Sequence, residues 1–347
     1  MSSMVLPDLI QNKEELDEIM SNPSPDLIEL MKSLRGDILI LGVAGKIGIN
    51  LAQAAVKTIR SAGVDKRVIG VSRFSNPSDR EKLTAFGVET IPCDLLDRAA
   101  VDKLPAVPNV IFMAGKKFGT SGAEDLTWAM NTVVPTHTAQ RFQESRIVAF
   151  STGCVYGDVS IHSGGSLESD PLHPVGDYSQ STLGRERVFQ YFSRENNIPV
   201  CIIRLNYAID LRYGVLREIG DKVFQGLPVD LTTGQVNIIW QGDVINQTLL
   251  CLEHCATPAN ILNMTGPETA SLRYIAQEFG KLFQREVLFT GEEVDKVLLS
   301  NAARAADLFG YPRVTLSRMI RWIAHWIEIG GTSLNKSTHF EVRDGNF

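Results

Sequence analysis

The chain has 347 residues, 44% hydrophobic and 21% charged, and carries a net charge of −6 at neutral pH. This ordinary composition, without a repeat or a low-complexity run, points to a folded globular protein and away from disorder. The acidic balance removes the electrostatic reason to expect nucleic-acid binding, and no signal-peptide pattern or membrane-length apolar stretch is visible, so a cytoplasmic protein is expected.

Residues 1–35 show acidic helical patterns at 13–20 and 25–34 and read as an N-terminal helical extension. A strand follows at 38–41, then Gly42, Gly45 and Gly48, spaced three apart, then a helix over 49–59. A buried strand, a glycine turn and a helix N-terminus form an anion site: backbone approaches a phosphate with no Cβ in the way, and free N–H groups point at it. Gly42, Gly45, Lys46, Ile47 and Gly48 are therefore candidate contacts for the diphosphate of a dinucleotide.

The alternation continues. Strands are expected at 67–71, 88–92, 109–113, 147–150, 200–205 and, late in the chain, 259–264. Helices are expected near 79–86, over 124–144 and over 178–196. Strands separated by helices imply an α/β fold, a doubly wound parallel sheet with ligands at the carboxyl ends of its strands. Residues 36–207, completed by about 236–265, form the expected dinucleotide-binding domain. Residues 208–235 and 266–347 leave the pattern and form the expected substrate-binding lobe, with a cleft between the two.

Ser72 and Arg73 end the second strand, where an acidic residue would hold the adenosine ribose. A hydroxyl and a guanidinium suit a 2′-phosphate instead, so NADP is expected ahead of NAD. Asp94, before Leu95, is placed to accept from the adenine amino group, or else to cap a helix starting near 96–97. Ala114 and Gly115 are small enough to let a cofactor pass close to the backbone.

Among the remaining conspicuous residues, Trp322, Ile323, Trp326 and Ile327 read as a helix packing face. Trp240 reads as core or cleft lining, and His173, shortly before Tyr178, is a minor candidate for substrate contact. Cys93, Cys154, Cys201, Cys251 and Cys255 are an odd number in mostly apolar surroundings, and read as free thiols. The histidines show no metal-ligand spacing, so no metal is expected.

The fifth strand runs into Ser151-Thr152-Gly153-Cys154-Val155-Tyr156-Gly157, and Tyr178 heads the next long helix. Together with the glycine turn, Asp94-Leu95, Ala114-Gly115, Asn131, Arg204-Leu205-Asn206 and Asn263 to Glu268, these segments resemble the extended short-chain dehydrogenases/reductases of the NAD-dependent epimerase/dehydratase family. The resemblance spans about residues 36–330. It implies a Rossmann-type fold and hydride transfer on a carbohydrate or related hydroxy compound, with Tyr178 as acid/base and Thr152 holding the same substrate oxygen. It also implies cofactor contacts from Tyr178, Thr182 and Asn206, and a homodimer built on the two long helices, with Trp128, Val133, Val188, Phe189 and Phe192 among their apolar positions.

Two departures from the family pattern matter. The family's lysine four residues after the tyrosine is Thr182 here. A phenol near pKa ~10 is a poor base at neutral pH, and each unit of lost depression is worth ~1.4 kcal/mol. Lys117, on the loop after the fourth strand beside Lys116, is the expected substitute; Arg185, two helical turns beyond Tyr178, is the other. The acid pair that serves elimination in the family's 4,6-dehydratases is Gly153-Cys154 here, which argues against that reaction. The competing readings are a catalytically impaired dinucleotide-binding sensor or scaffold, and a flavin- or nucleotide-sugar-binding variant.

Overall fold

The computed structural model describes residues 6–116, 122–338 and 340. Seven parallel strands form the central sheet: β1 (Ile38–Leu41), β2 (Val68–Ser72), β3 (Glu89–Pro92), β4 (Asn109–Phe112), β5 (Arg146–Thr152), β6 (Val200–Leu205) and β7 (Asn260–Met264). Their spatial order is β7-β6-β5-β4-β1-β2-β3, every pairing parallel. The order reverses at β1, between β4 and β2, which opens a crevice at their carboxyl ends.

Both faces of the sheet are covered at its centre, so β1 and β4 are buried along their whole length rather than alternating. Ile38 and Ile40 of β1 join a core with Leu51, Ala52 and Ala55 of the helix Gly48–Ala62. Leu39 and Leu41 point the other way and pack with Val110, Phe112, Val134 and Phe189.

The expected long helix over 124–144 is not continuous. It runs as Glu124–Trp128, then a π-turn at Ala129–Val133, then Val134–Arg141. The π-turn carries Asn131, whose side chain is fully buried and bonded to Ser181 and to the backbone of Lys116. An inserted residue of this kind re-aims side chains and is common at functional sites. The second long helix, Gly176–Asn196, starts two residues earlier than expected and puts Tyr178 in its first turn.

The helices Lys13–Met20 and Pro25–Ser33 tie two cores together. Leu27 and Met31 belong to the sheet core. Ile10, Leu16 and Met20 belong to a second core with Trp240, Phe279, Trp322 and Trp326. Asp17 accepts from Asn50 of Gly48–Ala62 and pairs with Arg212 at 3.3 Å. Trp240 packs edge-on against Trp322 with ring centroids 5.3 Å apart, so it is core and not cleft lining. No helix of the described residues is long and apolar enough to cross a membrane.

Because Leu27 is fully buried in the sheet core, Leu27→Ala should destabilise the whole protein by about 2–5 kcal/mol, read by chemical denaturation. A loss within experimental error would mean the extension folds apart from the sheet.

Candidate functional site

The glycine turn forms as the spacing requires. Gly42 has φ +85°, and a Cβ there would stand 2.7 Å from the Ala114 nitrogen. Gly45 N–H donates to Gly42 O and Gly48 N–H to Gly45 O, each at 3.0 Å. A Cβ on Gly48 would collide with the Val43 carbonyl. The helix that follows has no side-chain cap and no acid in its first turn. The helices Lys13–Met20, Pro25–Ser33 and Pro77–Phe86, by contrast, are each capped by a side chain. An uncapped N-terminus at a sheet crevice leaves N–H groups and partial positive charge for an anion.

A cavity of about 330 Å³ adjoins the turn. Gly42, Gly45, Ser72, Arg73, Asp94, Leu95, Ala114 and Gly115 all line it, with Met130 and Asp79. The sequence-assigned residues of the adenosine half thus gather around one space that suits an extended nucleotide. Lys46 Nζ sits 3.1 Å from the centroid of the Tyr213 ring. Asp94 accepts from Leu96 N–H at 3.0 Å, while Asp97 caps the short helix Arg98–Asp102. The helix cap, the alternative role for Asp94, therefore belongs to Asp97.

Tyr178 is half-buried at the carboxyl edge of β5, and burial raises its phenol to about 12, with Cys154 adding to the rise. Hydrogen bonding by Thr152, the positive charge of Arg185 and hydrogen bonding by Thr182 act the other way. Thr152 also accepts from Cys154 N–H at 3.2 Å, which fixes its rotamer. Thr182 is buried one turn beyond Tyr178. Asn206, at the end of β6, is buried and its side-chain N–H₂ has no partner; an orphaned donor at a strand's carboxyl end is placed to be satisfied by a ligand.

Arg185 lies under this group. Its guanidinium donates to the Phe150 carbonyl at 2.8 Å and to the Asn131 side-chain oxygen. A Cβ on Gly115 would run into it, so the glycine after β4 makes room for the arginine. Lys117 lies outside the described residues. Sequence reasoning missed Tyr207 and Tyr213. Burial raises the phenols of both; Cys154 adds to the rise of Tyr207, and Glu218 and then Tyr178 to that of Tyr213, so both lie near the same cleft. Tyr207 has φ +36°, a strained backbone of the kind found at sites. The only trace in the sequence was a pair of tyrosines soon after Asn206. His173 is exposed, with its backbone against Gly157.

Residues 38–209 match the model described as "NAD dependent epimerase/dehydratase family". That segment, just under half of the chain, is similar to this family. A curated relative, the low-salt glycan biosynthesis protein Agl12 of Haloferax volcanii, is 28% identical over 178 residues, 48% of this chain. The chain spans 55%, about half, of that relative's length.

Solved structures share the fold across most of the chain. A UDP-glucuronic acid 4-epimerase from Bacillus cereus in complex with NAD superposes with a TM-score of 0.67 at 19% identity, covering 84% of this chain and 98% of its own. A UDP-Glc/GlcNAc 4-epimerase from Campylobacter jejuni gives 0.69 at 20%, covering 85% and 99%. A dTDP-glucose 4,6-dehydratase from Bacillus anthracis in complex with NAD gives 0.69 at 14%, covering 85% and 97%. The fold is the α/β, Rossmann-like sheet expected from the sequence, with smaller sheets contributed by the C-terminal part.

Proposed function

We propose that the protein is an NAD(P)-dependent epimerase or oxidoreductase acting on a sugar, most simply a nucleotide-activated one, by hydride transfer. The observation that carries this is the grouping of Tyr178, Thr152 and Thr182 at the carboxyl edge of the sheet, alongside an uncapped glycine-turn helix. The relatives' UDP-sugar substrates and glycan biosynthesis support the substrate class. In this reading residues 36–207 and about 236–265 hold the dinucleotide, and 208–235 and 266–347 hold the sugar.

The dinucleotide, when bound, supplies the hydride acceptor and donor. Gly42, Gly45 and Gly48 would hold its diphosphate, Ser72, Arg73 and Asp94 its adenosine half, and Thr182 and Asn206 its nicotinamide half. Tyr178 takes the proton of the substrate hydroxyl as its carbon is oxidised, and returns a proton on reduction. Thr152 holds the same oxygen in line. With its phenol near 12 in the free protein, Tyr178 is a ready acid and a reluctant base at neutral pH. Gly153 and Cys154 stand where a dehydratase would carry its acid pair, so oxidation or epimerisation is favoured over elimination.

Tyr178→Phe should lower kcat by about 10²–10⁴-fold with NAD affinity nearly unchanged. In the parent protein kcat/KM should climb with pH on the acidic side of the Tyr178 midpoint, as the phenolate fraction grows. Turnover of a panel of UDP- and dTDP-sugars checks both. Undiminished turnover in Tyr178→Phe would remove Tyr178 from the reaction. NAD binding without turnover of any sugar would instead favour the sensor or scaffold reading.

The family's description and two of the solved relatives name NAD; a preference for NADP rests on Ser72 and Arg73 alone. Both line the cavity, and so does Asp79, a carboxylate that opposes a 2′-phosphate. On this proposal Arg73→Asp weakens NADP by about tenfold or more, the scale of one charge-assisted contact, while NAD changes little. Calorimetric titration decides. Tighter NAD than NADP binding by the parent protein would overturn it.

A homodimer is proposed on the faces of 124–141 and 176–196, which leave Leu126, Trp128, Val133 and Tyr191 exposed. Val188 and Phe192 are half-buried, whereas Phe189 is fully buried within the chain and is not available to a partner. Light scattering at micromolar concentration should give twice the chain mass; the mass of one chain would count against the pairing.

A further inference from the structure

We propose that Arg185 is the positioning residue that supplies positive charge to Tyr178, in place of a lysine at position 182. The inference rests on reading Tyr178 as the proton-transferring group. Four observations carry it, and none depends on turnover.

The first is direction. Arg185 follows Tyr178 by seven residues, two turns of Gly176–Asn196, so both lie on one face. Helical side chains lean toward the N-terminus, so the arginine reaches back toward Tyr178. A short Thr182 between them leaves the route open.

The second is anchorage. The guanidinium is held by the Phe150 carbonyl and the Asn131 side-chain oxygen. Asn131 is itself fixed by the π-turn and by Ser181. Phe150 precedes Ser151-Thr152 on β5, so the clamp that holds the cation also belongs to the strand that presents Thr152. Gly115 provides the volume.

The third is uncompensated charge. Arg185 is buried, yet no carboxylate among the described residues forms an ion pair with it. Its neighbour Glu186 is occupied by a two-point bridge to Arg204, at 3.0 and 2.8 Å. Both anchors of Arg185 are neutral oxygens. A buried cation without a counter-ion is costly, and such charge is characteristic of sites where an anion forms during function. Burial lowers Arg185 to about 10 and Tyr178 opposes that fall ahead of Glu186, so it stays protonated at neutral pH.

The fourth is an orphan donor. The Nε–H of Arg185 is buried and has no hydrogen-bond partner. A buried donor left open next to a cofactor cavity is placed for a water or ligand oxygen that links guanidinium and phenol. The purely structural alternative is that Arg185 only pins β5 to the π-turn; it predicts no effect on the phenol.

Among the described residues, the charged and titratable groups facing Tyr178 are Cys154, Arg185 and Tyr213. The test therefore uses a Cys154→Ser background, so that thiolate formation does not distort the titration. A trifluorinated tyrosine placed at position 178 brings the midpoint into a range where the protein stays folded, and ultraviolet absorbance follows it with and without NAD. Arg185→Gln keeps an anchoring amide but removes the charge. It should raise the midpoint by about one pH unit or more, a tenfold loss of phenolate at fixed pH. Adding Thr182→Lys to Arg185→Gln should bring it back, and Lys117→Met alone should leave it where it was.

An unmoved midpoint in folded Arg185→Gln overturns the proposal, as does a rise in Lys117→Met. Should Arg185→Gln not fold, nitrogen NMR of the Arg185 Nε–H in the otherwise parental chain decides. Its resonance should shift with the phenol's midpoint, and an unresponsive resonance overturns the proposal. These titrations need no substrate. A flat result removes Arg185 and leaves the proposed reaction standing, whereas full activity in Tyr178→Phe removes the reaction itself.

Discussion

The buried pairing of Arg204 with Glu186 sets the geometry of the whole cleft. Arg204 is the penultimate residue of β6 and Glu186 lies in Gly176–Asn196, and both are almost completely enclosed. Ser151 of β5 donates to the same Glu186 oxygen that receives Arg204 Nε. Arg204 also donates to the Tyr156 hydroxyl, which donates in turn to Asn263 of β7. Asn263 binds the backbone at Ser166 and Asn301. One connected set of hydrogen bonds therefore fixes three strands, the tyrosine helix and the loops at Ser166 and Asn301 at the carboxyl edge. A fully satisfied buried network of this sort resists deformation, because loosening any member strands a charge in a low-dielectric interior. Tyr178 and Thr152 come from different elements, and this network holds them in register.

The same network settles how charge is distributed. Glu186 and Arg185 are consecutive, and a free carboxylate at 186 would neutralise the neighbouring guanidinium. Committing Glu186 to Arg204 leaves Arg185 as net positive charge beneath the phenol. On the proposal made for Arg185, the two arginines would have opposite duties. One cancels a buried carboxylate and stabilises architecture; the other stays uncancelled beside a group that ionises.

Much of the fold was legible in the sequence, and the reasons are local. Strands β1 and β6 were read with their observed limits, because a parallel strand covered on both faces is a short, unbroken apolar run. The glycine turn was legible because only glycine tolerates the crowding at Gly42 and Gly48. Tyr178 and Thr152 were legible as motif positions. The break in the helix over 124–144 was not: a π-turn changes hydrogen bonding by one residue without changing the apolar pattern. Nor was the burial of Arg185 legible. A helical arginine reads as solvated, and its true position depends on Gly115, Asn131 and Phe150, which lie on three other elements. The tie between the two cores by residues 10–31 was hidden for the same reason, since amphipathic helices record that they pack but not against what.

Energetic competition at Tyr178 shows why several weak corrections are needed. Removing a phenolate from water costs more than the two threonine hydroxyls and Arg185 return, which leaves the phenol near 12. Such a group is protonated at neutral pH, and on the proposed reaction the positive charge of an oxidised nicotinamide bound beside it would lower it. Each unit by which that charge lowers the phenol multiplies the phenolate tenfold. On that reading basicity would exist mainly with cofactor bound, and the empty protein would carry little reactive phenolate. A fixed lysine at 182 would shift that balance toward permanent activation. On the proposal made for Arg185, a guanidinium two turns away, anchored on the Phe150 carbonyl and Asn131, would give a milder field and make proton transfer depend more strongly on cofactor occupancy.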